Sequence, residues 1–325
     1  MKQIIIVVPD GSVNLSSITG TLEILSYANE YWQKMGNKAM IEICVASYST
    51  ELKVSSGFFL INPVDLNEIK NADLVIIPSI SYDYDNILKD NKELIKWIRT
   101  QYIGGSEIAS ICTGVFLLAA TGLLEGKTCS THWNAERDFK RIFPNIRLEV
   151  DKLITAERGI YTNGGAYSFL NMVLFLVEKY FDRQTAIFCS KVFEIDIERT
   201  SQSPFIIFEA QKDHGDKMVG EAQTYIEQNL SKKFSFEELA SRLAVTRRSF
   251  DRRFIKATGN TPVEYLQRVK VEVAKSTLEK GRKSVFEVMN DVGYSDDKAF
   301  REVFKRITGM SPLEYRGKYN KEAAR

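Results

Sequence analysis

Two stretches near the end of the chain repeat each other. A-T-G-N-T-P-V-E-Y occupies positions 257–265 and I-T-G-M-S-P-L-E-Y positions 307–315, fifty residues later. Upstream of each lies a matched unit, S-F-E-E-L-A-S-R-L-A-V-T-R-R-S-F-D-R-R-F from Ser235 and S-V-F-E-V-M-N-D-V-G-Y-S-D-D-K-A-F-R-E-V-F from Ser284. Such a duplication, with turn residues at matching offsets, requires one small supersecondary unit folded twice.

The mechanics of that unit are legible residue by residue. Ser235 and Ser284 read as N-caps, with Glu238 and Glu287 three positions on to complete capping boxes. An amphipathic helix follows, with Leu239, Ala240 and Leu243 on its apolar side in the first copy. A short turn, Ala244-Val245 or Gly293-Tyr294, leads to Thr246 or Ser295, expected to cap a second helix. Phe250 and Phe254, like Phe300 and Phe304, stand one helical turn apart and face a core. This is helix-turn-helix twice over, and the second helix of each copy suits a major groove.

Double-stranded DNA is therefore the expected partner. The first reading helix presents Thr246, Arg247, Arg248, Ser249, Arg252 and Arg253, and guanidinium groups pair with phosphates or with guanine edges. The second presents Ser295, Asp296, Asp297, Lys298 and Arg301. Its carboxylates are poor phosphate partners, although a carboxylate accepts from cytosine N4. The competing reading is a helical bundle with a solvated basic face; two capped, matched copies weigh against it. Charge agrees: residues 219–325 hold 22 Lys and Arg against 15 Asp and Glu, while residues 1–218 hold 22 against 27. A basic module follows a slightly acidic one.

The front of the chain has a different rhythm. Ile4–Val8, Ile41–Ser47, Leu74–Pro78 and Ile108–Ile111 read as buried strands alternating with helices near Ser17–Met35, Lys92–Tyr102 and Thr113–Ala120. That alternation implies a parallel sheet covered on both faces, with ligands at the carboxyl ends of its strands. Cys112 sits at one such end. From 199 to 220 the residues read as a return segment and then a linker. The best candidate span, around Leu170–Val177, ends at Glu178, so no membrane partner is expected, and the N-terminus reads as a first strand rather than a leader. A cytoplasmic protein follows. Cys44, Cys112, Cys129 and Cys189 form no C-x-x-C, and only His132 and His214 could join them. A metal site is not expected, nor any cofactor.

Residues 239–254 (L-A-x-x-L-x-V-T-x-R-S-F-x-R-R-F), 258–266 (T-G-x-T-P-x-E-Y-L) and 292–316 resemble the DNA-binding domains of the AraC/XylS family. The resemblance implies two helix-turn-helix units joined by a long helix, about Pro262–Leu278, that enter successive major grooves. The stretch I-C-T-G-V-F-L-L-A-A-T-G-L-L-E-G-K-T-C-S-T-H-W at 111–133 resembles the GlxA-type branch of the DJ/PfpI, or class I glutamine amidotransferase-like, superfamily. So do F-P-N-I at 143–146, I-Y-T-N-G-G-A at 160–166 and R-T-S-Q-S-P-F at 199–205.

Together the two resemblances imply a flavodoxin-like parallel sheet sandwiched by helices (1–205, effector-binding and dimerising), a linker (206–220) and an all-α DNA-binding domain (221–325). They imply a ligand-responsive transcription regulator, an activator and a homodimer. Its small-molecule effector is an amino acid or amine, and RNA polymerase is a further partner. The family's nucleophile maps onto Cys112 and its histidine onto His132. Two departures count against turnover. Ser17 stands where relatives carry an acid, and Ser79-Ile80 replaces a Gly-Gly turn whose amides approach substrate. The expected effector contacts are Ser17, Ser79, Ile80, Cys112, Thr113, His132, Asn163 and Gly164. For Cys112, sensing competes with fold packing, with redox sensing, and with a cysteine-dependent hydrolase or glyoxalase-type activity.

Overall fold

The side chains of Ile4, Ile5, Ile6 and Val7 are all inaccessible to solvent. A strand with successive residues hidden has protein on both faces, as in a parallel sheet layered by helices. The computed structural model describes residues 1–49, 52–54 and 59–320 and divides the chain into Met1–Gln202 and Ser203–Arg325.

In the first unit the strands are β1 (Lys2–Val7), β2 (Ile41–Ser47), β3 (Leu52–Val54), β4 (Phe59–Ile61), β5 (Val64–Asp65), β6 (Leu74–Ile77), β7 (Glu107–Ile111), β8 (Thr128–Cys129), β9 (Arg147–Leu148), β10 (Ile154–Glu157) and β11 (Ile160–Asn163). Seven form one sheet in the order β10-β11-β7-β6-β1-β2-β5, parallel except for the β10–β11 hairpin at one edge. The helices are α1 (Leu15–Lys34), α2 (Tyr84–Asp90), α3 (Lys92–Ile103), α4 (Val115–Ala120), α5 (Glu136–Ile142), α6 (Phe169–Tyr180) and α7 (Arg183–Val192). Ile18, Leu25, Met172 and Val173 pack on one face of the sheet, and Ile98, Phe116, Leu117 and Phe139 on the other. The chain order reverses direction beside β1, and β7 lies inside the sheet between β6 and β11. Cys112 thus emerges centrally at the carboxyl edge, where open α/β sheets bind ligands. The first helical turn after β7 is a 3₁₀ turn, Cys112–Gly114, and α4 begins only at Val115.

In the second unit the helices are α8 (Lys217–Gln228), α9 (Phe236–Arg242), α10 (Arg247–Thr258), α11 (Pro262–Lys280), α12 (Val285–Asp291), α13 (Asp297–Thr308) and α14 (Pro312–Tyr319). Capping boxes start α9 at Ser235 and α12 at Ser284, and the same device starts α11 at Thr261 and α14 at Ser311. Each copy has its own core. Phe250, Phe254 and Tyr265 anchor one and Phe300, Phe304 and Tyr315 the other, with α11 supplying Val269 to the first and Ala274 and Leu278 to the second.

Two expectations are corrected here. The side chain that caps α13 belongs to Asp296, which accepts from the N–H groups of Lys298 and Ala299, and not to Ser295. Three acceptor-bearing residues in a row, Ser295, Asp296 and Asp297, leave the start ambiguous in sequence, and the Asp296 carboxylate takes the role. Residues 206–220, expected to be a linker, are folded into the helical unit. Phe208 and Met218 pack on its first core, Val219 is fully buried, and α8 starts at Lys217. The polar residues that suggested a linker act as caps and turns here, Asp216 and Gly215 among them.

Candidate functional site

The first candidate site is the elbow at Cys112. Its backbone is left-handed (φ 53°), an uncommon conformation for a residue with a side chain. Gly114 lets the following turn press against β6: a Cβ there would lie 2.4 Å from the Pro78 carbonyl oxygen and 2.9 Å from that of Ile77. The elbow is thus held by backbone packing.

The structure brings Ser17, Ser79, Ile80, Cys112 and Thr113 together and closes them on one another. The Ser79 N–H donates to Ser17 Oγ (3.1 Å), and Ser17 Oγ donates to the Asn14 carbonyl (2.7 Å). The Ile80 N–H donates to Thr113 Oγ1 (3.0 Å), which in turn donates to the Ile80 carbonyl (2.6 Å) and lies 2.9 Å from Ser79 Oγ. The two amides that would face an oxyanion are therefore engaged by hydroxyls of the chain itself. All five residues are buried, with Cys112 at 4 % exposure. Burial raises the Cys112 thiol above its ordinary value, against weaker opposing hydrogen bonds from Ser79, from Thr113 and from the His132 backbone. A thiol held protonated is a poor nucleophile.

His132 starts the 3₁₀ turn Trp133–Ala135, and its Nδ1 accepts from the Asn134 N–H (3.1 Å). Burial lowers its pKa, so the ring is held neutral. Asn163, at the end of β11, donates through Nδ2 to the carbonyls of Leu153, Gly164 and Ser168 at 3.1–3.2 Å. Gly164 is pressed by Gln202, whose Nε2 would lie 2.1 Å from a Cβ. Both residues thus serve the turn, and contact with Cys112 is not what positions them.

Two residues of this region were absent from the expected set. Gln202 is fully buried, and its Nε2 donates to the Thr131 carbonyl (2.8 Å) and to that of Val150, beside the elbow. It lies within the matched stretch R-T-S-Q-S-P-F, the one signal that could have found it. Tyr84 stacks on Phe116 (3.8 Å between centroids), and its buried hydroxyl has no hydrogen-bond partner among the described residues. Burial pushes that hydroxyl's pKa up. Nothing in the local sequence pointed to Tyr84. Among the described residues no group of three potential ligands could hold a metal ion.

The second candidate site is the pair of reading helices. Thr246 caps α10 through Ser249 N–H (3.2 Å). Arg248 and Arg252 are exposed one turn apart, and Ser249 lies between them, partly covered. Arg247 is engaged elsewhere: Nε donates to both Asp251 oxygens (2.8 and 3.0 Å) and Nη1 to Glu237 (2.7 Å). Arg253 is turned from the exposed row and grips Asp216. On α13, Arg301 pairs with Asp297 (2.7 Å), and Lys298 is exposed, as is Ser295 ahead of the helix. The sequence set its arginines down as one patch; the structure divides them between an outer row and internal ties.

The DJ-1/PfpI family matches residues 4–179, and a helix-turn-helix domain family matches residues 239–318. The HTH-type transcriptional regulator GbdR of Pseudomonas aeruginosa is 24% identical over 226 residues, which cover 69% of this chain and 61% of GbdR. The HTH-type transcriptional regulator CdhR of the same organism is 24% identical over 268 residues, covering 81% of this chain and 77% of CdhR. A crystal structure from Vibrio parahaemolyticus, of a candidate transcriptional regulator, has a TM-score of 0.53 at 26% identity and covers 59% of this chain and 98% of that one.

Proposed function

The chain belongs to the DJ-1/PfpI family, and from that premise, joined to its helix-turn-helix unit, we propose that it is a DNA-binding transcription regulator. The observation that carries this is the outward row of Arg248 and Arg252 on a capped helix, in the second position of a helix-turn-helix. Guanidinium groups so placed meet phosphates and guanine edges when the helix lies in a major groove. GbdR and CdhR, named as transcriptional regulators, support the same reading. The repeat supplies a second reading helix, α13, with Lys298 and Arg301. A homodimer of such chains suits repeated or inverted half-sites.

The DJ-1/PfpI-like unit receives a small-molecule signal and does not turn substrate over. The support is chemical: a protonated, buried thiol, amides engaged by Ser17 and Thr113, and no acid at position 17. An effector biases the regulator only through unequal affinity for two arrangements of the chain.

The test is fluorescence anisotropy of the full chain with labelled fragments of the DNA upstream of its own gene and its neighbours. Expected is tight, salt-sensitive binding to at least one fragment, weakened by Arg248→Ala. Binding no better than to random duplex on every fragment, or binding indifferent to both salt and Arg248→Ala, would sink the proposal.

A further inference from the structure

The two reading helices align position by position: α10 is Arg247–Thr258 and α13 is Asp297–Thr308, fifty residues further on at both ends. Their buried faces agree, Phe250 with Phe300 and Phe254 with Phe304. Their outward faces do not. Asp297 and Arg301 stand where Arg247 and Asp251 stand, so each helix carries the same i,i+4 ion pair with its charges exchanged. The exposed Arg248 and Arg252 of α10 become Lys298 and Glu302 in α13, exposed as well. At matching positions α10 therefore turns two cations outward, and α13 one cation and one anion. Positions without surplus positive charge gain little from phosphates, so what α13 adds to binding lies in the bases.

The exchange of charges decides which edge of each guanidinium is left to DNA. In α10, Arg247 gives Nε to Asp251 and Nη1 to Glu237, so its terminal edge is already engaged. Counted from the caps Ser235 and Ser284, the place of Glu237 is taken in the second copy by Phe286. In α13, Arg301 gives Nε to Asp297 Oδ2 at 2.7 Å, and its two Nη groups have no acceptor among the described residues. Those two groups form the fork that matches O6 and N7 of guanine in the major groove. Asp297, one turn earlier, holds the plane of the fork from behind. Arg301 and Asp297 are 48% and 50% exposed, against 33% and 35% for Arg247 and Asp251, so the second pair is the more open to a groove. In water an exposed pair holds weakly. Entry into a groove removes water from it and strengthens both the ion pair and the base contact.

We propose that Arg301 is the guanine-reading residue of α13 and Asp297 its positioning residue, so that α13 supplies selectivity and α10 most of the phosphate affinity. The inference rests on the regulatory reading above and names the base that one of its helices takes. Selection of duplexes from a randomised pool by the full chain tests it. Anisotropy then compares the selected duplex with single-base variants and with a copy bearing 7-deazaguanine at the selected guanine. Expected is a guanine whose replacement by adenine or 7-deazaguanine weakens wild-type binding about tenfold and Arg301→Ala binding by less than about twofold. Arg301→Lys keeps a cation and loses the fork, so it should hold random duplex as wild type does and lose the preference for guanine. Asp297→Asn should relax that preference and bind random duplex more tightly, because an anion facing phosphates is gone; Asp297→Glu should retain the preference. Both side chains lie outside the core, and the helix signal of each variant confirms that it is folded. A guanine preference that survives Arg301→Lys, wild-type tolerance of 7-deazaguanine at every selected guanine, or base preferences unmoved by Asp297→Asn would overturn the assignment. A selected motif indifferent to Arg301 and Asp297 overturns this inference alone, whereas a wild-type chain that selects no sequence overturns the regulatory reading with it.

Discussion

Arg253 holds Asp216 with both arms of its guanidinium, Nε to Oδ2 at 2.9 Å and Nη2 to Oδ1 at 2.7 Å. Asp216 is also the N-cap of α8, accepting from the Val219 N–H at 3.2 Å. One carboxylate therefore ties the start of α8 to the middle of α10. Asp216→Ala is expected to destabilise the helical unit by about 1 kcal/mol from the lost cap alone, and Arg253→Ala to shift it the same way. Urea unfolding followed by helix signal measures both. The Arg253 hydrogen bond holds the Asp216 carboxyl below its ordinary pKa. That contribution is complete above the unfolded value, near 4, and is lost as pH falls through the folded one. DNA affinity of Arg253→Ala, measured where the protein is fully folded, stays within about twofold of wild type, because the side chain makes no outward row.

Arg248 and Arg252 invert that pattern. Both are exposed and neither shares the tie to Asp216. Replacing either by alanine leaves the unfolding midpoint nearly unchanged and lowers DNA affinity. If each meets one phosphate, the slope of log affinity against log salt becomes shallower by about 1 per substitution. A slope identical to wild type in the double variant would remove α10 from the interface.

How far the sequence foretold this arrangement depends on the range of the interactions. The alternation that placed β1, β2, β6 and β7 and the capping boxes of α9 and α12 is local, and the structure has these elements within a few residues of the expected positions. What escaped is long-range. Gln202 reaches back to Thr131 across 71 positions and Asp216 to Arg253 across 37, and no periodicity announces such partners. The same limit explains why 206–220 read as a linker: its caps and turns are visible in sequence, but the burial of Val219 is not. In sequence, Ser17 and Ser79 read as departures from a catalytic pattern. That Ser17 occupies the Ser79 amide is a contact across 62 positions, which neither segment announces by itself.

The elbow makes a steric prediction. Gly114 has ordinary helical dihedrals, so alanine is not excluded by backbone preference. It is excluded by space: the new methyl would meet two backbone carbonyl oxygens at 2.4 and 2.9 Å, and backbone cannot swing aside as a side chain can. Gly114→Ala is expected to cost about 3 kcal/mol, read as a lower melting temperature of the first unit. Gly126→Ala is a contrast without crowding, since nothing lies within 4 Å of that Cβ, and its effect comes from a φ of 69° alone.

His132 supplies a pH test that separates a partly buried structural histidine from a catalytic base. Its Nδ1 accepts from the Asn134 N–H, and burial holds its pKa below the ordinary value. A proton on Nδ1 would remove that acceptor and strand the Asn134 donor. Because the folded pKa is depressed, the contribution is fully present above the unfolded value of about 6.5 and is lost as pH falls through the folded value. The melting temperature of the first unit should therefore drop between neutral pH and about pH 5. His132→Asn keeps a side-chain acceptor for the Asn134 N–H without a titrating ring, so its melting temperature should be flatter over that window. His214 is the chain's other histidine and lies in the helical unit, so His214→Asn should leave the first unit's profile unchanged. A wild-type profile matched by His132→Asn would mean that carboxylates, and not this ring, govern acid sensitivity.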